Sequence, residues 1–234
     1  MTRGILIAGN ESLVFSAIAL EIRKKVESFA SAVIPNRFPL PASGPQPGIE
    51  TIEGAIPLPF NPASPLSART LVLSAENRLG KINDAILICS PPALFRTAET
   101  LSPEEIEILI NDHIKGWFYL VRELALYFRR IGSGCLSLVS SEVYSDGGGR
   151  SVHADLIGPS ASSSFRAFAQ GVLTSSLNEP FTVMGFAGME NGTNEEFASW
   201  LLKTIDEGQK KNRGRWNKFS RLKAFSKLQF LKKP

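Results

Sequence analysis

Short apolar runs alternate along this chain with longer stretches whose apolar residues recur every three or four positions. A run apolar at every position suits a strand covered on both faces, as in parallel sheets. Spacing of three to four suits a helix with one buried stripe. The alternation therefore predicts an α/β fold, a doubly wound parallel sheet with helices on both sides. Strands are expected at Gly4–Ala8, Phe29–Ile34, Ala55–Phe60, Asp84–Ser90, Cys135–Ser140 and Phe181–Ala187. Helices are expected over Ser12–Lys25, Ser67–Leu79, Ser102 to about Arg130, Ser163–Ser176 and Asn194–Glu207.

The clearest helix start is Ser102-Pro103-Glu104-Glu105. Ser102 can cap it, Pro103 suits the first turn and Glu105 completes a capping box. Ile106, Ile110, Trp117, Val121 and Leu124 continue one apolar stripe. Two segments break the alternation. Five prolines between Pro35 and Pro47 replace a helix with irregular chain. Ser145–Pro159 is a polar, glycine-rich loop. A length of 234 residues fits one such domain. No run of about 18 apolar residues is present, so no membrane span is expected. The start MTRGILIAG reads as a strand and lacks secretory features. Cys89 and Cys135 lie in apolar runs without metal-ligand spacing, which suggests buried thiols, no metal site and a cytoplasmic location.

Charge is distributed unevenly. From Lys210 onward there are ten Lys or Arg and no acid, while the remaining 16 basic and 22 acidic residues leave that part at −6. This contrast suggests a domain over 1–208 and a basic tail over 209–234. Trp216, Phe219, Leu222, Phe225, Leu228 and Phe230 interleave the cations at near-helical spacing. Such a segment could pack on the domain or on a partner subunit, or bind an anionic membrane or nucleic acid.

Over roughly residues 3 to 208 the order of elements resembles the short-chain dehydrogenases/reductases. NPASPLSARTLVLSAENRLGKINDAILIC resembles that family's third strand, helix and fourth strand. HIKGWFYLVRELALYF resembles its long interface helix, and GCLSLVSSEVY the strand that ends in its catalytic serine. The resemblance implies a Rossmann-like fold, an NAD or NADP cofactor, and a homodimer or homotetramer built through the long helix and the Ser163–Ser176 helix.

The family's chemistry uses a tyrosine and a lysine four residues apart, with a serine and an asparagine completing the proton relay. Aligned position by position, these fall on Ser162, Arg166, Ser141 and His113. Four residues after Tyr119, Tyr127 and Tyr144 come Glu123, Ile131 and Gly148, so no Tyr-x-x-x-Lys exists. A serine hydroxyl is far less acidic than a phenol, and an arginine cannot release a proton. Ser141 lacks a Gly-x-Ser-x-Gly setting, although His153 and Asp155 lie downstream. The phosphate turn, Thr-Gly-x-x-x-Gly-x-Gly in the family, reads here Ala8-Gly9-Asn10-Glu11-Ser12-Leu13-Val14-Phe15. Leu13 and Phe15 add bulk where glycines admit a pyrophosphate, so both are expected to fill that site. The family's Asn-Asn-Ala-Gly reads Ile88-Cys89-Ser90-Pro91. A retained cofactor would meet Gly9, Asn10, Ser12, Ser90 and Arg37, the last placed to hold a 2′-phosphate. No cofactor is the first expectation. The expected function is a divergent family member acting in binding, regulation or assembly. The alternatives are an atypical oxidoreductase using Ser141 with His113 or Arg166, and an adaptor working through the tail.

Overall fold

Every expected strand forms. β1 (Ile5–Asn10), β2 (Phe29–Ile34), β3 (Ala55–Pro57), β4 (Asp84–Cys89), β5 (Cys135–Ser140) and β6 (Thr182–Glu190) are joined by a seventh, β7 (Trp216–Ser220). The computed structural model describes residues 3–26, 28–38, 53–92, 97–141, 156–190, 192–208 and 212–220. The strands make one parallel sheet in the order β3-β2-β1-β4-β5-β6-β7. Every residue of β1, β4 and β5 is buried, which is why these strands are written mostly in apolar residues, with Asn10, Asp84, Ser137 and Ser140 as the polar exceptions.

The helices are α1 (Leu13–Arg23), α2 (Pro65–Leu79), α3 (Pro103–Ile110), α4 (Gly116–Ile131), α5 (Ile157–Ser175) and α6 (Asn194–Gly208). Leu71, Leu120, Leu124, Phe165 and Leu173 of α2, α4 and α5 cover one face of the sheet. Phe15, Ile18, Phe197 and Leu201 of α1 and α6 cover the other. Chain order reverses between β1 and β4, which opens a crevice outside the carboxyl ends of those strands. Gly116 lets α4 approach the β3–α2 connection, since a Cβ there would lie 2.5 Å from the Pro62 Cβ.

Several boundaries move. Ser64 accepts the Ser67 N–H and Pro65 opens α2, so this helix starts ahead of Ser67. Helix α5 begins at Ile157, inside the expected loop, and β6 continues to Glu190. Residues 39–52 and 142–155, with most of the proline-rich segment, His153 and Asp155, lie outside the described residues.

Two expectations are overturned. The long helix is not one continuous α-helix: a π-helical turn, Asn111–Lys115, separates α3 from α4. A π turn inserts an extra residue and rotates the phase of the helix. Trp117, Val121 and Leu124 are buried as the spacing predicts, but Ile106 and Ile110 are 42% and 44% exposed. Asp112 and His113 face inward instead. The capping box at Ser102 and Glu105 forms as expected, at 3.2 and 3.0 Å.

The domain also extends past 208. Trp216–Ser220 is a strand and not part of a helix, pairing in parallel with β6. Trp216 covers Gly185, whose ideal Cβ would come within 2.7 Å of the indole, and Phe219 packs among Phe197 and Trp200. The Arg213 guanidinium donates to the Ser176 and Glu179 carbonyls. Several of the basic residues after 209 thus belong to the sheet and its approach. Residues 221–234 lie outside the described residues.

Candidate functional site

The crevice begins where β1 ends. A Cβ on Gly9 would lie 2.7 Å from the Ile88 carbonyl oxygen and 3.1 Å from the Phe15 ring, so sheet and helix packing alone require glycine here. Asn10 is buried, and its Oδ1 accepts the Ser90 N–H at 3.1 Å, tying β1 to the end of β4. Ser12 caps α1 by accepting the Phe15 N–H at 3.2 Å and donates to the Asn10 carbonyl. These groups, assigned to a cofactor in the sequence reading, are spent on the framework. Phe15 is 2% exposed and sits between α1 and the sheet. Leu13 corrects the expectation that both bulky residues fill the site: it is 67% exposed.

The other wall comes from the end of β2. The Arg37 guanidinium makes a two-pronged contact with Asp112, donating from Nε to Oδ2 at 2.8 Å and from a terminal nitrogen to Oδ1. The Asp112 side chain is 2% exposed and that of Arg37 45%. Arg37 is therefore held by a carboxylate at the place where the resemblance put a 2′-phosphate. Beside it the Phe38 ring stacks on His113, with centroids 5.9 Å apart and planes at 25°. The cleft between Asn10, Glu11, Ser90, Arg37 and His113 keeps about 20 Å³, room for roughly one water molecule.

His113 is buried, and its Nδ1 has no hydrogen-bond partner among the described residues. Burial, with a smaller contribution from the Arg37 charge, pushes its pKa down from 6.5 to about 4. The imidazole is neutral near pH 7. Between pH 6.5 and 4 the unfolded chain takes up a proton that the folded chain refuses, so stability falls as pH falls through this window. The expected loss reaches about 3 kcal/mol at its lower end. Urea midpoints from pH 7.5 to 4.5 should show this slope, and His113→Gln should flatten it.

Ser141 follows β5, 2% exposed, and its Oγ, like that of Ser140, has no hydrogen-bond partner among the described residues. Ser162 lies half-buried on α5. One turn further, the Arg166 guanidinium lies over the Trp216 ring at 5.8 Å, drawn toward β7. Phe165, between them, meets Trp117 edge-on at 5.4 Å. The fold brings Arg37 and His113 to one cleft with Asn10 and Ser90. Arg166 is engaged elsewhere.

The architecture is that of the short-chain dehydrogenases/reductases. No family model matches the sequence, and no curated protein does. Solved structures match over nearly the whole chain. A short chain dehydrogenase from Bacillus anthracis superimposes with a TM-score of 0.69 at 15% identity, covering 93% of this chain and 95% of its own. The 3-ketoacyl-(acyl-carrier-protein) reductase from Brucella melitensis, complexed with NADH, gives 0.70 at 13%, covering 92% and 96%. A Mycobacterium smegmatis short chain dehydrogenase gives 0.69 at 12%, covering 94% and 93%. The chain shares their fold.

The Asp112 carboxylate engages Arg37, and Phe38 stacks on His113, at the end of the crevice where the resemblance implies a nucleotide. Sequence reasoning missed Asp112 and Phe38. The available signal for Asp112 was the polar run Asn111-Asp112-His113 inside an otherwise apolar helix.

Proposed function

We propose that this chain is a dehydrogenase-fold protein that works without tyrosine–lysine hydride transfer and without a bound dinucleotide, as an oligomeric binding or assembly unit. The observation that carries this reading is the pairing of Arg37 with the buried Asp112, beside the Phe38–His113 stack, at the nucleotide end of the crevice. The lack of any Tyr-x-x-x-Lys supports it from the chemical side. The assembly role draws support from α4, where Phe118 and Leu126 are 52% and 46% exposed. Phe118 packs on Phe168 of α5 at 4.2 Å, so the two helices share an outward apolar patch suited to a homodimer or homotetramer.

A thermal-shift scan with NADH and NADPH tests the reading. A ligand at 100 times its Kd stabilises a fold by about 2.7 kcal/mol, several degrees in melting temperature for a chain of this size. No shift is expected with either. A saturable shift would overturn the cofactor-free reading.

One observation favours a second reading, an atypical oxidoreductase. Ser141 Oγ and His113 Nδ1 are buried and have no hydrogen-bond partner among the described residues, as groups awaiting a substrate oxygen would be. Carbonyl reduction abolished by Ser141→Ala in a stably folded variant would favour that reading instead.

A further inference from the structure

We infer that the basic C-terminal segment, residues 221–234, docks on the outer face of α3 in its own chain. This rests on α3 and the tail, and does not depend on the state of the cofactor cleft. Ile108 and Leu109 of α3, with Leu101 just ahead of it, turn inward against Phe38 and Ile157, at the carboxyl edge of the sheet. Its outer face carries the exposed Ile106 and Ile110 beside Glu107. From Thr97 to Ile114 the sequence has five carboxylates and no Lys or Arg. Glu105 is used in the capping box and Asp112 on Arg37. Glu99, Glu104 and Glu107 are exposed, and no cation pairs with them among the described residues.

The tail is the chemical complement of that face. Arg221, Lys223, Lys227, Lys232 and Lys233 are its charged residues, with no acid. Leu222, Phe225, Leu228 and Leu231 recur every third position, supplying apolar groups for Ile106 and Ile110. The topology allows the contact. Strand β7 is parallel to the rest, so the chain leaves Ser220 at the carboxyl edge of the sheet, where α3 lies. Two strands separate β4 from β7, a lateral distance of about 14 Å. The tail's 14 residues reach about 46 Å when extended. Trp216 and Phe219, which might have continued the tail's apolar pattern, are committed to β7.

Carbodiimide coupling of the full chain, which joins touching amines and carboxylates, tests the docking. Unlabelled and ¹⁵N-labelled chains are mixed so that cross-links within one chain can be told from those between chains. The expected result is coupling of Lys223 or Lys227 to Glu104 or Glu107 within single-isotope chains, lost at high salt. These couplings should also vanish in Glu104→Gln/Glu107→Gln with no change in melting temperature. Coupling of tail lysines to other carboxylates would overturn the proposal, as would mixed-isotope pairs, which place the tail on a second copy. Binding of the full chain to phosphatidylserine vesicles or to RNA, with no α3 coupling, would assign the tail to that surface and overturn it equally.

Discussion

Arg37→Met is expected to destabilise the chain by about 3 kcal/mol, because it leaves the buried Asp112 carboxylate without its counter-charge. The Asp112 side chain is 2% exposed, and Arg37 is the cation that meets it. Asp112→Asn should cost much less, about 1–2 kcal/mol, since it leaves a guanidinium that is 45% exposed and free to hydrate. The double variant Arg37→Met/Asp112→Asn should recover most of the loss of Arg37→Met. Denaturant unfolding of the three proteins measures the coupling directly. Equal, small effects in both single variants would mean that the pair is an ordinary surface contact. The account of the crevice would then lose its main support.

Phe15 and Leu13 provide the second large contrast. Phe15→Ala removes a ring that is 2% exposed between α1 and the sheet, and is expected to cost about 3–5 kcal/mol. Leu13 is 67% exposed, so Leu13→Ala should stay within about 0.5 kcal/mol. The two positions look equivalent in the sequence, each replacing a glycine of the family's phosphate turn. The structure separates them: one residue is helix–sheet packing, the other is surface. Comparable losses for both would contradict that assignment.

The layered fold was legible because its evidence is local. Strands buried on both faces are mostly apolar, as AILIC after Asp84 and CLSLV around Ser137 are, and the Ser102 capping box carries its partners three residues apart. The features that decide the site are not local. Arg37 and Asp112 are 75 positions apart, and no spacing rule connects them. Asp112 and His113 sit in the π turn, and Ile106 and Ile110 match helical spacing equally well with or without it. The segment WNKFS reads as part of a basic amphipathic tail because Trp216 and Phe219 fall at near-helical spacing among cations. It becomes a strand through tertiary contacts, Trp216 on Gly185 and Phe219 among the α6 aromatics. In the sequence, Gly9, Asn10 and Ser12 read as contacts of a retained cofactor. Their neighbours are now accounted for by Ile88, Ser90 and the first turn of α1.

The central claim is that the nucleotide end of this crevice is taken up by the chain's own side chains. Calorimetric titration of the full chain with NADPH and with NADH tests it most directly. The account predicts no saturable heat with either nucleotide up to millimolar concentration. Saturable one-to-one binding of NADPH in the micromolar range, abolished by Arg37→Met, would mean that Arg37 leaves Asp112 for the cofactor, and would contradict it.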